Sequence, residues 1–187
     1  MRKLFILASM ALGAALSGCA SFVTPEYSAD YAAVDALKRQ SLKPASVGKV
    51  QPEDPGAKVN NITLRGTKLA ASTGTFALYV EQALIRDLTE AGLYDKAAGK
   101  RLDLRLVRND IDVSGFSTGA GDIAAEVTVT EGSSVLFKKQ FDARTQFESS
   151  FAGAVAIPKG QAEYPRLVRE LLSVIYRDAG LVAALKK

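Results

Sequence analysis

The chain of 187 residues contains no histidine and no tryptophan, and it has a single cysteine. Without histidine it lacks the commonest general base near neutral pH, the usual Ser-His-Asp arrangement and nearly all zinc sites of mixed ligation. One thiol cannot form an internal disulfide, so stability has to come from packing. No apolar run approaches the roughly 20 residues needed to cross a hydrocarbon core. Charge of one sign is also scarce: 24 Lys and Arg are set against 20 Asp and Glu, for a formal charge of +4. The basic residues are dispersed and not interleaved with aromatics on one face, so nucleic acid is not an expected partner. Carboxylates, serines and lysines are present, yet no spacing singles out an acid-base pair or a Ser-Lys dyad. The expectation is no catalytic residue, no metal and no cofactor.

What is there begins at the amino terminus. Arg2 and Lys3 precede an apolar stretch over 4–16, followed by Leu16-Ser17-Gly18-Cys19-Ala20-Ser21. A basic start and an apolar run of this length fit a signal peptide. The segment resembles the lipobox of bacterial lipoprotein precursors. That resemblance implies recognition at Leu16, Ser17 and Gly18, cleavage before Cys19, and lipid on the Cys19 thiol and the new amino terminus. Cleavage after Ala20 would instead leave an ordinary secreted protein. A single acyl chain holds only marginally, whereas two or three make a stable anchor at about 0.8 kcal/mol per buried methylene. Losing Arg2 and Lys3 lowers the formal charge by two, so the mature surface is less basic than the full chain suggests. The residues after Cys19 lack the aspartate that retains enteric lipoproteins in the inner membrane. By that resemblance the protein is expected at the outer membrane, facing the periplasm. The expected organisation is a signal peptide over 1–18, a lipidated amino terminus and tether over 19–44, and one domain over 45–187.

Within 30–40, Tyr31, Val34, Ala36 and Leu37 recur near helical spacing, which fits either a short helix or a mobile tether. Short strands are expected over 47–50 and 62–64, separated by the breaker run Gln51-Pro52-Glu53-Asp54-Pro55-Gly56. The spacing of Phe76, Val80, Leu84 and Leu88 predicts a helix over 75–91, with Thr73 or Thr75 as cap and Gly92 as left-handed stop. Residues 101–106 alternate polar and leucine. The phase then changes, because Val107, Ile111 and Val113 are odd-numbered, and a bulge near Arg108 and Asn109 would account for it. A turn over 114–121, a strand carrying Ile123, Ala125, Val127 and Val129, and a turn over 131–134 follow. A third strand carries Val135, Phe137, Phe141 and Phe147. A last helix is expected from about Ala162, with Pro165 in its first turn and a stripe of Tyr164, Val168, Leu171 and Ile175. The fold class is α+β: an antiparallel sheet of about four to five strands with two long helices on one face.

Four features invite a functional reading. Asp110-Ile111-Asp112-Val113-Ser114-Gly115 matches the start of a calcium loop, but the twelfth position is Gly121 where a bidentate Glu is needed. The glycine-rich turn over 115–121 joins two strand patterns without a following helix, so a hairpin fits better than a phosphate cradle. Lys100, Arg101, Arg105 and Arg108 could meet lipid headgroups, although Asp103 interrupts them and a solvated strand face is the simpler account. The apolar loop containing Phe151, Val155 and Ile157 either folds over the core or faces a partner.

Asn61-Ile62-Thr63-Leu64-Arg65-Gly66, the run over 76–84 with Ala91-Gly92-Leu93, and the run over 147–158 resemble small proteobacterial envelope lipoproteins of the YajG type. The layout is also similar to ABC-transport auxiliary and LptE-like lipoproteins. These resemblances imply a non-catalytic envelope accessory or assembly factor with a protein partner. The alternative is a small module binding lipid or another hydrophobic ligand. Replacing Cys19 by Ala is expected to release the protein from the membrane fraction; unchanged sedimentation and processing of Cys19→Ala would refute the lipid anchor.

Overall fold

Long alternating sequences dominate the architecture. In the computed structural model, which describes residues 22–186, three strands form an antiparallel meander: β5 (Lys100–Asp112), β6 (Thr118–Glu131) and β7 (Ser134–Glu148). Before them come β1 (Phe22–Val23), α1 (Tyr31–Lys38), β2 (Ser46–Val47), a single 3-10 turn (Lys58–Asn60), β3 (Ile62–Leu64), β4 (Thr67–Ala70) and α2 (Phe76–Ala91). After them come α3 (Gly153–Tyr176) and α4 (Ala179–Lys186). Leu102, Leu104 and Leu106 point into the core, and the register slips between Leu106 and Arg108 so that Ile111 and Val113 also point inward. The bulge is thus centred on Val107, which is 45% exposed rather than buried with Ile111. An extra residue on one strand reverses the side-chain phase at just that point. On β6, Ile123, Ala125, Val127 and Val129 are fully buried. On β7, Phe141 is buried and Val135 is exposed, beside the tight Gly132 turn.

The expected single antiparallel sheet needs correction. β2 joins the meander in parallel with β5, giving the mixed order β2-β5-β6-β7. A second, three-stranded sheet has the order β1-β4-β3, with β1 parallel to β4. Four α-helices, not two, occur among the described residues. The fold class α+β holds. Two-residue parallel strands leave no alternation to read, and their partners are set by tertiary packing.

α2 matches its sequence signals: the Thr75 hydroxyl accepts from the Leu78 N–H, and Gly92 stops the helix in the left-handed region. α3 does not start near Ala162. It begins at Gly153 and runs through both Pro158 and Pro165. Each proline removes one helical hydrogen bond and disfavours the helix by about 3 kcal/mol in an exposed interior. Burial of Ala156, Gly160, Tyr164, Leu167, Val168, Leu171, Leu172 and Ile175 at helical spacing overrides that cost. Gly160 sits where α3 comes closest to its neighbours; a Cβ there would lie 2.6 Å from the Val113 side chain.

A lipidated amino terminus and tether was expected over 19–44; in the part of it that is described, residues 27–37 pack into the domain. Val34 and Leu37 of α1 are buried against the core, and the Lys43 N–H donates to the Leu185 carbonyl. α1 follows its own cap, since the Asp30 carboxylate accepts from the Ala32 N–H.

A seam of aromatic and acidic groups joins this segment to α2 and α3. Phe76 and Tyr79 of α2 meet Tyr164 of α3 with ring centroids 4.7 and 5.1 Å apart, and Tyr27 meets Tyr79 edge-on at 6.4 Å. Farther along α2, the buried Asp87 carboxylate accepts from the Tyr27 hydroxyl at 2.9 Å and from the Tyr176 hydroxyl at 3.0 Å. Burial raises the Asp87 carboxyl from 3.8 to about 6, against the two tyrosine hydrogen bonds, which favour the charged form. Burial therefore outweighs the two donors.

Between those two values the folded state holds more protons at this site than the unfolded chain. Its contribution therefore declines as pH rises from about 4 to about 6 and is flat above that window. A shift of two units corresponds to about 3 kcal/mol. Asp87→Asn removes this titration. Urea unfolding of the two proteins at each pH should show wild type losing on the order of 3 kcal/mol relative to Asp87→Asn between pH 4 and 7. A pH-independent difference would show that Asp87 does not titrate in this way.

Candidate functional site

One end of the molecule is built around an arginine in a hairpin turn. Between β3 and β4, Arg65 has φ 51° and Gly66 has φ 83°. Two successive left-handed residues make the tight turn whose twist matches antiparallel strands. The turn directs the Arg65 guanidinium at two neighbouring loops. Its Nε donates to the Val113 carbonyl at 2.9 Å, its Nη2 to the Ser150 carbonyl at 2.9 Å, and its Nη1 to the Phe151 carbonyl. One planar cation thus ties the β3–β4, β5–β6 and β7–α3 connections together. The β5–β6 turn is closed further by the Asp112 carboxylate, which accepts from the Ser114 N–H at 2.7 Å. Hydrogen bonding from Ser114, with a smaller contribution from the Arg65 charge, holds the Asp112 carboxyl below its ordinary range.

This braced frame carries two aromatic rings out into solvent. Phe116 and Phe151 stack with centroids 4.9 Å apart and an interplanar angle of 29°, yet they are 78% and 69% exposed. Val155, four residues after Phe151 in the first turn of α3, is also exposed, whereas Ile157 is half-buried and packs against the core. Of the three residues named from the sequence, Phe151 and Val155 are therefore surface and Ile157 is partly core. Phe116 was not singled out by its sequence. Its signal was a lone aromatic in the otherwise small and polar run Ser114-Gly115-Phe116-Ser117.

The other sequence candidates do not converge. Asp110 and Asp112 lie on the outward side of β5, and no group of three acidic or thiol side chains suited to a metal occurs among the described residues. The glycine-rich segment enters β6 at Thr118, as a hairpin does. Lys100 is buried and donates to the Ala184 carbonyl at 2.9 Å, so it leaves the proposed basic group. Arg101 pairs with Asp103, Arg105 with Glu126, and Arg108 with Asp122 and Asp142. That face is a lattice of opposite charges. Asp87, the carboxylate most displaced from its ordinary value, is enclosed by its two tyrosines. The clefts are open to solvent; one of about 410 Å³ is lined by Glu26, Tyr27, Ser72, Thr73, Gln82 and Arg86 together with Tyr79. Leu16, Ser17, Gly18 and Cys19 lie outside the described residues. No described helix is long and apolar enough to cross a membrane.

No family model matches the chain, and no curated protein matches it in sequence. Among solved structures, it is similar to a Xanthomonas campestris protein of the DUF330 family, with a TM-score of 0.55 at 15% identity over 83% of this chain and 94% of that one. A Caulobacter crescentus protein described as a candidate lipoprotein matches with a TM-score of 0.46 at 12% identity, over 83% of this chain and 98% of that one. At these identities the first likeness shows a shared fold, and the chain thus has the α+β architecture of the DUF330 protein.

Proposed function

We propose that this chain is a non-catalytic lipoprotein of the bacterial envelope, anchored through Cys19 at the outer membrane and facing the periplasm, that works by contact with another envelope component. The observation that carries this reading is the Phe116–Phe151 pair: two stacked rings held out in water by a dedicated arginine brace. A soluble domain seldom presents paired aromatics on a stiff frame unless something covers them. The lipobox residues and the YajG-type resemblance point the same way. A ligand carrier would keep apolar space inside. Here Phe76, Tyr79 and Tyr164 fill the junction of the helices, which favours surface contact over enclosure.

The test is native purification of the full-length protein from membranes in mild detergent, with mass spectrometry of co-purifying protein and lipid. Phe151→Asp should lower the co-purifying component several-fold. Because the ring is largely exposed, its stability should stay within about 0.5 kcal/mol of wild type. A large loss of stability would assign Phe151 to the core, and unchanged co-purification would remove it from any contact.

A further inference from the structure

The tip and the start of β1, where the described residues begin, lie at the same end of the fold. β1 runs parallel to β4, with Phe22 opposite Leu69 and Val23 opposite Ala70. β4 runs away from the Arg65–Gly66 turn, so the chain enters β1 from the side of that turn. This is the turn whose arginine holds the Phe116 and Phe151 loops. Cys19 is three residues before Phe22. Three residues reach at most about 10 Å, and Leu69 itself stands three residues from Gly66. A lipid carried by Cys19 would therefore be held within about 10 Å of the entrance to β1, on the side of the aromatic tip.

We propose that the envelope component covering the tip is the membrane itself: Phe116, Phe151 and Val155 dock into the interfacial layer of the leaflet that receives the acyl chains of Cys19. This rests on the lipoprotein reading above. Side-chain chemistry supports it. The runs 114–117 and 149–157 contain no ionisable side chain, only Ser, Gly, Ala, Pro-free apolar residues and the two Phe rings. The nearby Arg65 guanidinium donates to backbone carbonyls, which stiffens the loops, and its charge is felt by the Asp112 carboxylate beside it. Nearby charges are of both signs, Lys68 and Lys159 against Asp112 and Glu148, and Lys159 pairs with Glu148 at 3.3 Å. Apolar contact, rather than attraction to anionic lipid, is what this surface offers. The layer between the bilayer core and water is only about 5–8 Å deep on each side. A domain held on so short a lead cannot lift its tip far from it. Docking by the tip sets the long meander upright, with the Gly132 turn at the far end. β6, at 14 residues, separates the two ends by roughly 45 Å.

The experiment uses the mature, membrane-extracted lipoprotein carrying Ser117→Cys or Ser133→Cys. With Cys19 acylated, the introduced thiol is the only reactive one, and it takes an environment-sensitive fluorophore. The protein is reconstituted into phosphatidylcholine vesicles containing lipids spin-labelled near the headgroup. Quenching is expected to be several-fold stronger at position 117 than at 133, and to fall toward the level at 133 when Phe116 and Phe151 are both changed to Ser. Equal quenching at the two positions, with the protein still floating with the vesicles, would overturn the docking and leave the anchor standing. Failure to float would overturn the lipoprotein reading as well. A photo-crosslinker at position 116 in living cells should yield lipid adducts; a discrete protein adduct would replace the membrane with a protein partner and overturn the proposal.

Discussion

The Asp87 carboxylate, shared by the hydroxyls of Tyr27 and Tyr176, is the constraint on which the arrangement of helices depends. A buried carboxylate is costly unless its lone pairs are satisfied, and a half-satisfied one is worse than an apolar residue. Asp87 can therefore sit on the inner face of α2 only if both tyrosines are in place. Tyr27 belongs to the segment between β1 and α1, and Tyr176 to the last turn of α3. One polar group thus fixes the relative position of three parts of the chain that are far apart in sequence. The Phe76, Tyr79 and Tyr164 rings fill the same seam farther toward the start of α2, where edge and tilted contacts add about 0.5–1.5 kcal/mol per pair beyond area burial.

Arg65 has a comparable role at the tip, with different chemistry. It bonds backbone carbonyls of two loops instead of a carboxylate. Carbonyl acceptors do not neutralise the cation, whose charge acts on Asp112 nearby, but they fix the path of the main chain at Val113, Gly115 and Ser150. The Phe116 and Phe151 rings are consequently positioned by backbone geometry more than by their own packing. Stacking removes part of each ring from water, yet both stay mostly exposed. An apolar pair on a stiff frame loses little conformational entropy when it is covered, which is what makes such a surface efficient in binding.

Much of this was legible in the sequence wherever one physical period ran long enough. The Phe76, Val80, Leu84 and Leu88 stripe gave α2 to within a residue, and the phase change after Leu106 revealed a bulge that the structure centres on Val107. The short strands were not legible: Phe22–Val23 and Ser46–Val47 each contribute only two residues, paired in parallel with distant partners. α3 was misread because Pro158 and Pro165 signal helix starts, while the stripe that overrides them, Ala156, Gly160 and Tyr164, uses small residues that carry little hydrophobic signal. Residues 22–44 looked like a tether because their apolar side chains are sparse. Tyr27, Val34 and Leu37 are nevertheless enough, since each lands on a surface already formed by α2 and α3. At the candidate site, Phe151 and Val155 were visible as apolar residues in a connection, whereas Phe116 gained meaning only from the ring opposite it.

β1 connects the two polar devices. A two-residue strand supplies too few ladder hydrogen bonds to hold a chain end by itself. Val23 receives one more bond from the Gln161 side chain, and Thr24 is held by the Ala70 carbonyl and by Ser72. Three residues beyond Thr24, Tyr27 enters the Asp87 site. A tension or torque applied ahead of Phe22 is therefore resisted first by the short β1 ladder and the Thr24 hydrogen bonds, and then by a buried carboxylate that cannot lose its donor without a large penalty. The direction from which the chain approaches the Arg65 turn is fixed by β1 and secured by Asp87. The orientation of the tip relative to any anchor at Cys19 thus depends on a hydrogen bond made five residues down the chain from Phe22, at Tyr27.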